Sequence, residues 1–95
     1  MTLTELRYIV AVARHRHFGK AAEACFVSQP TLSVAVRKLE DELGVRLFER
    51  SHNDVLVTDI GRAIVAQAET VLGAADTVKV IAEAARDPLG RELRL

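Results

Sequence analysis

Cys25 is the only cysteine in the chain, and it lies three residues ahead of Ser28-Gln29-Pro30, a run that reads as a helix start. A thiol at a helix N-terminus is activated there, because the unsatisfied N–H groups favour the thiolate. The placement argues against that chemistry. Cys25 falls late in the preceding helical run "KAAEACF", where the helix dipole opposes the anion. No base stands ready to take its proton, although His15 and His17 are close in sequence. Its expected role is a small apolar residue that helps close a junction between helices. His15-x-His17 could open a metal site, but imidazoles at i and i+2 of a helix end diverge and no third ligand follows. No phosphate loop, paired-carboxylate or Ser-His-Asp pattern rises above chance, and "EDE" at 40–42 reads as a solvated helix end. The expectation is therefore no enzyme, with no catalytic residue, no metal and no cofactor.

Residues 28–38 suit a different task, the reading of double-stranded DNA. Gln29 has the geometry for paired hydrogen bonds to adenine, and the methyls of Thr31 and Val34 suit thymine. Ser33 is short enough to let a helix backbone approach base edges. Arg37 suits guanine or phosphate, and Lys38 and Lys20 suit phosphate. Ser28 and Pro30 start the helix that carries this face. Arg50, His52 and Asn53 lie in a second cluster suited to the flanking backbone or the minor groove.

These residues need elements to position them. Residues 2–16 read as a first helix, with Thr2 and Glu5 at capping-box spacing. His17-Phe18-Gly19 interrupts it, with Gly19 as the boundary, and a short second helix covers about residues 20–26. Either Ser28 or Gln29 caps the third helix, because residues before proline avoid helical angles. That helix runs to Leu43 and stops at Gly44, with Leu32, Ala35, Val36, Leu39 and Leu43 as its core stripe. Two strand-like runs, 45–50 and 55–58, flank a turn-forming Ser-His-Asn-Asp and predict a β-hairpin. Thr58 then caps a fourth helix over 59–86. Its stripe Ile60, Ile64, Ala68, Val71, Ala75, Val78, Ala82 and Ala85 is nearly heptad and predicts packing along a second subunit.

The expected fold is mainly α: a winged helix-turn-helix of three helices plus a β-hairpin wing, followed by a long dimerisation linker helix. Residues 1–58 form the DNA-binding domain, with the helix-turn-helix at 18–37 and the wing at 45–58. Residues 59–86 form the linker, and 87–95 a hinge toward a further domain. Of the linker stripe, Ile64, Ala68, Val71, Ala75, Val78 and Ala82 are the expected dimer contacts.

Composition agrees. Thirteen basic and thirteen acidic residues cancel overall, yet residues 1–38 carry six basic groups against two acidic ones, a net of +4. The remainder carries −4, so the positive face belongs to the DNA-reading end. One cysteine forms no internal disulfide, which fits a reducing cytoplasm. No apolar run approaches the roughly 20 residues of a membrane helix, and no segment resembles a signal peptide.

The segment "HFGKAAEACFVSQPTLSVAVRKLEDELGVRLFER", followed by "VTDIG", resembles the N-terminal domain of LysR-type bacterial transcriptional regulators. The similarity covers essentially the whole chain. It implies a DNA-binding domain that recognises an interrupted inverted repeat as a homodimer or a dimer of dimers. It also implies RNA polymerase as a partner of the full-length protein and a cytoplasmic, nucleoid-associated location. Within the family, "HRHFGKAAEACFVSQPTLS" and "KLEDELGV" are most similar to the peroxide-sensing branch. In that branch the redox cysteines reside in a C-terminal regulatory domain, expected beyond Leu95, so Cys25 is not the sensor. Two positions depart from the family. Val34 and the wing tip near Asn53 are often basic there, whereas this chain has an apolar Val34 and an acidic Asp54 in its wing. The alternatives are a metabolite-responsive regulator of the same family and a winged-helix module that binds protein.

Overall fold

Thr2 starts the first helix, α1 (Leu3–His15), by the reciprocal device its spacing to Glu5 predicts. Thr2 Oγ1 accepts the Glu5 N–H at 3.1 Å, and Glu5 Oε1 accepts the Thr2 N–H at 2.8 Å. The structure, a computed structural model, describes residues 1–52 and 54–86. The expected hinge at 87–95 and the wing-tip residue Asn53 lie outside the described residues. α1 ends at Arg16, whose left-handed backbone (φ 52) turns the chain, and whose carbonyl accepts the Val55 N–H at 3.3 Å.

The second helix, α2 (Phe18–Ala24), begins earlier than the expected 20–26 and includes Gly19 rather than stopping at it. The cause is His17, whose Nδ1 accepts the Lys20 N–H at 3.0 Å and caps the helix. The turn that follows leaves Cys25 half-buried and Phe26 in the left-handed region (φ 60), with its ring 94% exposed. Ser28 is the cap of α3 (Gln29–Leu43), accepting the Thr31 N–H at 3.2 Å, and Gly44 closes that helix at φ 73. Leu32, Val36 and Leu39 of the expected stripe are buried and Ala35 is half-buried. Leu43, on the last turn, is exposed.

The hairpin is shorter than 45–50 and 55–58. β1 (Phe48–Ser51) pairs antiparallel with β2 (Asp54–Val57), with Phe48 opposite Val57 and Ser51 opposite Asp54. Residues 45–47 are held elsewhere. From the α3 side, the Glu40 carboxylate accepts the N–H groups of Leu47 at 2.7 Å and Phe48 at 3.2 Å. Glu40 is thus a brace between helix and wing, not the solvated helix end expected for "EDE". From the other side, the Thr58 hydroxyl donates to the Arg46 carbonyl at 2.7 Å, and the Thr58 N–H donates to Leu47 O at 3.0 Å. Thr58 also caps α4 (Asp59–Ala85) by accepting the Gly61 N–H at 2.9 Å.

The core lies where α1, α2, α3 and the start of α4 meet. Ile9, Val12, Leu32, Leu39 and Leu47 are fully buried there, each worth about 1.5–3 kcal/mol of burial. Phe18 and Phe48 close the wing side, ring edge to ring face, with centroids 6.4 Å apart at 84°.

Only the first half of the 27-residue α4 belongs to this core, through Gly61, Val65 and Ala68, with Leu72 packed at its margin. Farther along, Val78, Val80 and Ile81 are 67, 55 and 45% exposed. The overhang accounts for the long axis of the molecule, 55 Å against 24 and 19 Å. Ala68, one of the expected seam residues, is 3% exposed within the chain itself and packs on the chain's own core. Ile64 also packs partly on that core. Both follow from one wide apolar arc, on which the own-domain face and the expected seam are adjacent.

Candidate nucleic-acid interface

α3 presents the expected face because its three anchors fix its rotation. Leu32, Val36 and Leu39 turn inward, which turns Pro30, Val34, Arg37 and Lys38 outward. At about 100° per residue, Pro30, Ser33, Val34 and Arg37 share an arc of roughly 100°, and Thr31 and Lys38 lie farther round. Gln29, Pro30, Thr31, Arg37 and Lys38 are exposed and Ser33 is half-buried, while Val34 is an apolar side chain left 67% exposed. Ser28 is partly committed, since its hydroxyl meets that of Thr31 at 2.8 Å while capping the helix.

Between α3 and the wing runs an open groove. Its walls are Gln29, Pro30, Ser33 and Arg37 on the helix side and Arg46, Phe48 and Arg50 on the wing side. Arg37, Arg46 and Arg50 line this concave surface together with Glu40 and Asp41, and the excess of positive charge suits a polyanion. Arg46 carries no local signal in the sequence, where it sits among apolar residues. Lys20 is exposed near the start of α2, and Gln29 reaches toward the same place. A Cβ on Gly19 would lie 3.4 Å from Gln29 Oε1 and 2.9 Å from the His17 ring, so the bare Cα leaves room for both.

In the wing, Arg50 does not simply extend into solvent. Its guanidinium carbon lies 4.0 Å from the centroid of the Phe18 ring. His52 occupies the hairpin turn with a left-handed backbone (φ 56) and is exposed. The structure thus brings Gln29, Pro30, Ser33, Arg37 and Arg50 around one groove, while Ser28, Thr31, Val34 and His52 are not part of its lining. Lys20 and Lys38 flank it outside its lining.

Cys25 is removed from this face. It lines a second hollow with Arg7, Arg14 and Glu69, and burial pushes its thiol above the ordinary value of 9.0. Among the described residues no cluster of His, Cys, Asp or Glu could hold a metal ion, and no helix is long and apolar enough to cross a membrane.

Known proteins share this fold. The chain is 55% identical over 85 residues to the DNA-binding transcriptional dual regulator OxyR of Escherichia coli K12, covering 90% of this chain but 27% of that protein. A full-length OxyR variant of Pseudomonas aeruginosa superposes with a TM-score of 0.87 at 60% identity, over 92% of this chain and 30% of that one. The BenM DBD in complex with benA site 1 DNA gives a TM-score of 0.86 at 34% identity, over 93% and 99% of the two chains. The chain therefore spans under a third of the length of its OxyR relatives and nearly all of an isolated domain. Residues 3–62, which hold the helix-turn-helix and wing, match the bacterial regulatory helix-turn-helix proteins of the lysR family. The chain belongs to the lysR family and has its winged helix-turn-helix fold.

Proposed function

We propose that this chain is the sequence-reading part of a peroxide-responsive transcription regulator of the OxyR type. The observation that carries the DNA-binding part is the exposed face of α3, small and uncharged at its N-terminal end and basic at Arg37 and Lys38, opening onto a groove lined by Arg37, Arg46 and Arg50. α3 enters the major groove, Gln29, Thr31, Ser33, Val34 and Arg37 meet base edges, and the wing follows the adjoining backbone. Similarity to hydrogen peroxide-inducible genes activators supports the peroxide branch over a metabolite-responsive one. No catalytic step belongs to this part of the protein. Its setting is the cytoplasm, on the nucleoid when bound, with RNA polymerase a partner of the whole regulator.

The second part of the proposal is a homodimer through α4, supported by the exposed row Val71, Val78 and Ile81 beyond the domain's own core. Ile64, Ala75 and Ala82 complete the seam. A two-fold dimer places two α3 helices on one side of a duplex, so half-sites lie about 34–36 Å apart or a multiple of that. Whole regulators of this kind can then pair as dimers of dimers.

Fluorescence anisotropy against duplexes drawn from a random-sequence library tests the first part. Binding that selects an inverted repeat and weakens steeply with salt is expected. A chain that selects no sequence, or binds protein instead, refutes it. Sedimentation of Val71→Asp/Val78→Asp tests the second, where monomers are expected and an intact dimer would remove the seam.

A further inference from the structure

Arg50 stands in an unusual position for an exposed arginine. Its guanidinium carbon lies 4.0 Å from the centroid of the Phe18 ring, the range of a face-on cation–π contact. None of the ion pairs among the described residues includes Arg50. Phe18 itself is held firmly, 8% exposed and T-shaped against Phe48. The aromatic platform is therefore rigid, and one of its faces carries the wing's cation beside the groove that α3 lines.

We propose that Phe18 is a positioning residue for DNA binding, fixing the Arg50 guanidinium against the groove before any duplex arrives. This rests on the reading that Arg50 contacts DNA. A guanidinium lying on an aromatic face keeps its N–H donors in its own plane, pointing outward from the stack. It can bind a phosphate without leaving the ring, so the contact survives complex formation. An arginine side chain otherwise loses considerable rotamer freedom on binding, and a preformed stack lowers that cost. The same contact joins the first residue of α2 to β1, so the helix-turn-helix and the wing present their charges as one surface.

Replacing Phe18 with mono-, di- and pentafluorophenylalanine weakens and then inverts the ring's electrostatic face while nearly preserving its shape. The 95-residue chain is titrated with a duplex it has itself selected, across a salt series, and thermal melts confirm folding of each variant. Affinity should fall in steps with fluorination, roughly two- to fivefold across the series. The steps should vanish in an Arg50→Ala background, which a purely structural role for the ring would not produce. Arg50→Ala alone should weaken binding on the order of tenfold and flatten the salt slope by roughly one unit. If Arg50→Ala binds with unchanged affinity and slope, Arg50 does not contact DNA and the underlying reading fails. If Arg50→Ala weakens binding but fluorination has no effect, Arg50 touches DNA without help from Phe18. Tighter binding on fluorination would mean that Arg50 must leave the ring to bind, which also overturns the proposal.

Discussion

Two glycines in one helix should answer the same substitution with opposite signs. At Gly61, an added Cβ would lie 2.3 Å from the Leu47 carbonyl oxygen, 3.1 Å from its carbon and 2.9 Å from Thr58 Oγ1. Real Cβ contacts essentially never fall below 3.0 Å, so α4 must retreat by at least 0.7 Å from a backbone that cannot swing aside. That retreat also stretches the Thr58 bonds to residues 46 and 47. Overpacking of this kind costs about 1–3 kcal/mol, offset by up to about 1 kcal/mol of helix propensity gained on leaving glycine. A net loss of up to about 2 kcal/mol remains, which in a domain of this size lowers Tm by up to about 15 °C. At Gly73 nothing lies within 4 Å, so only the propensity gain survives. Gly73→Ala should raise Tm by about 3–8 °C. Melts by circular dichroism at one fixed protein concentration decide the matter, since any dimer makes Tm concentration-dependent. If both variants shift in the same direction, the close approach of α4 to Leu47 is not what governs Gly61.

Phe26→Asn should stabilise the chain by about 0.5–1 kcal/mol, because asparagine tolerates the left-handed backbone and the 94% exposed ring has little packing to lose. A lower Tm for this variant would show that the ring contributes something beyond its solvent contacts. Gln29→Ala and Arg37→Ala should each cost about 1–3 kcal/mol at a selected duplex and relax base preference, whereas Lys20→Ala should weaken all duplexes alike. Unchanged discrimination by Gln29→Ala would remove that residue from the base-reading set. Cys25 offers a pH test: its thiol is raised in the folded chain, so the unfolded chain loses its proton first. Its contribution to stability is full below the ordinary value of 9.0 and is lost as pH rises through the folded value. Cys25→Ala should flatten that alkaline decline, and an identical decline in the variant would assign it to other groups.

The elements legible in the sequence are those with local chemistry. Thr2 with Glu5, Ser28 ahead of Pro30, Gly44 and Thr58 each set a helix boundary through neighbours within three or four residues, and each does so in the fold. The start of α2 escaped because an imidazole cap is uncommon and Gly19 looked like a breaker. The wing's shortening escaped for a different reason. Residues 45–47 have strand-like side chains, but their backbone partners, Glu40 and Thr58, come from helices on either side. The apolar period of α4 marks one continuous arc and does not reveal that Ala68 packs on the domain's own core. The face of α3 was readable because three inward anchors dictate what points out. Arg46 and the Phe18 stack on Arg50 depend on how the wing folds back, which no short window reveals.

The grip on residues 46–48 has a practical meaning for anyone recombining such proteins. Glu40 holds this segment from one side and Thr58 from the other, and Gly61 lies against it without room for a methyl group. A chimera cut at the apparent border between wing and linker, near Thr58, would sever partners that must be inherited together. The first place on α4 free of that constraint lies past Leu72, where the helix leaves its own domain. Linkers exchanged there should carry over only the outer part of the proposed seam, Ala75 to Ala82, while leaving the DNA-reading half intact.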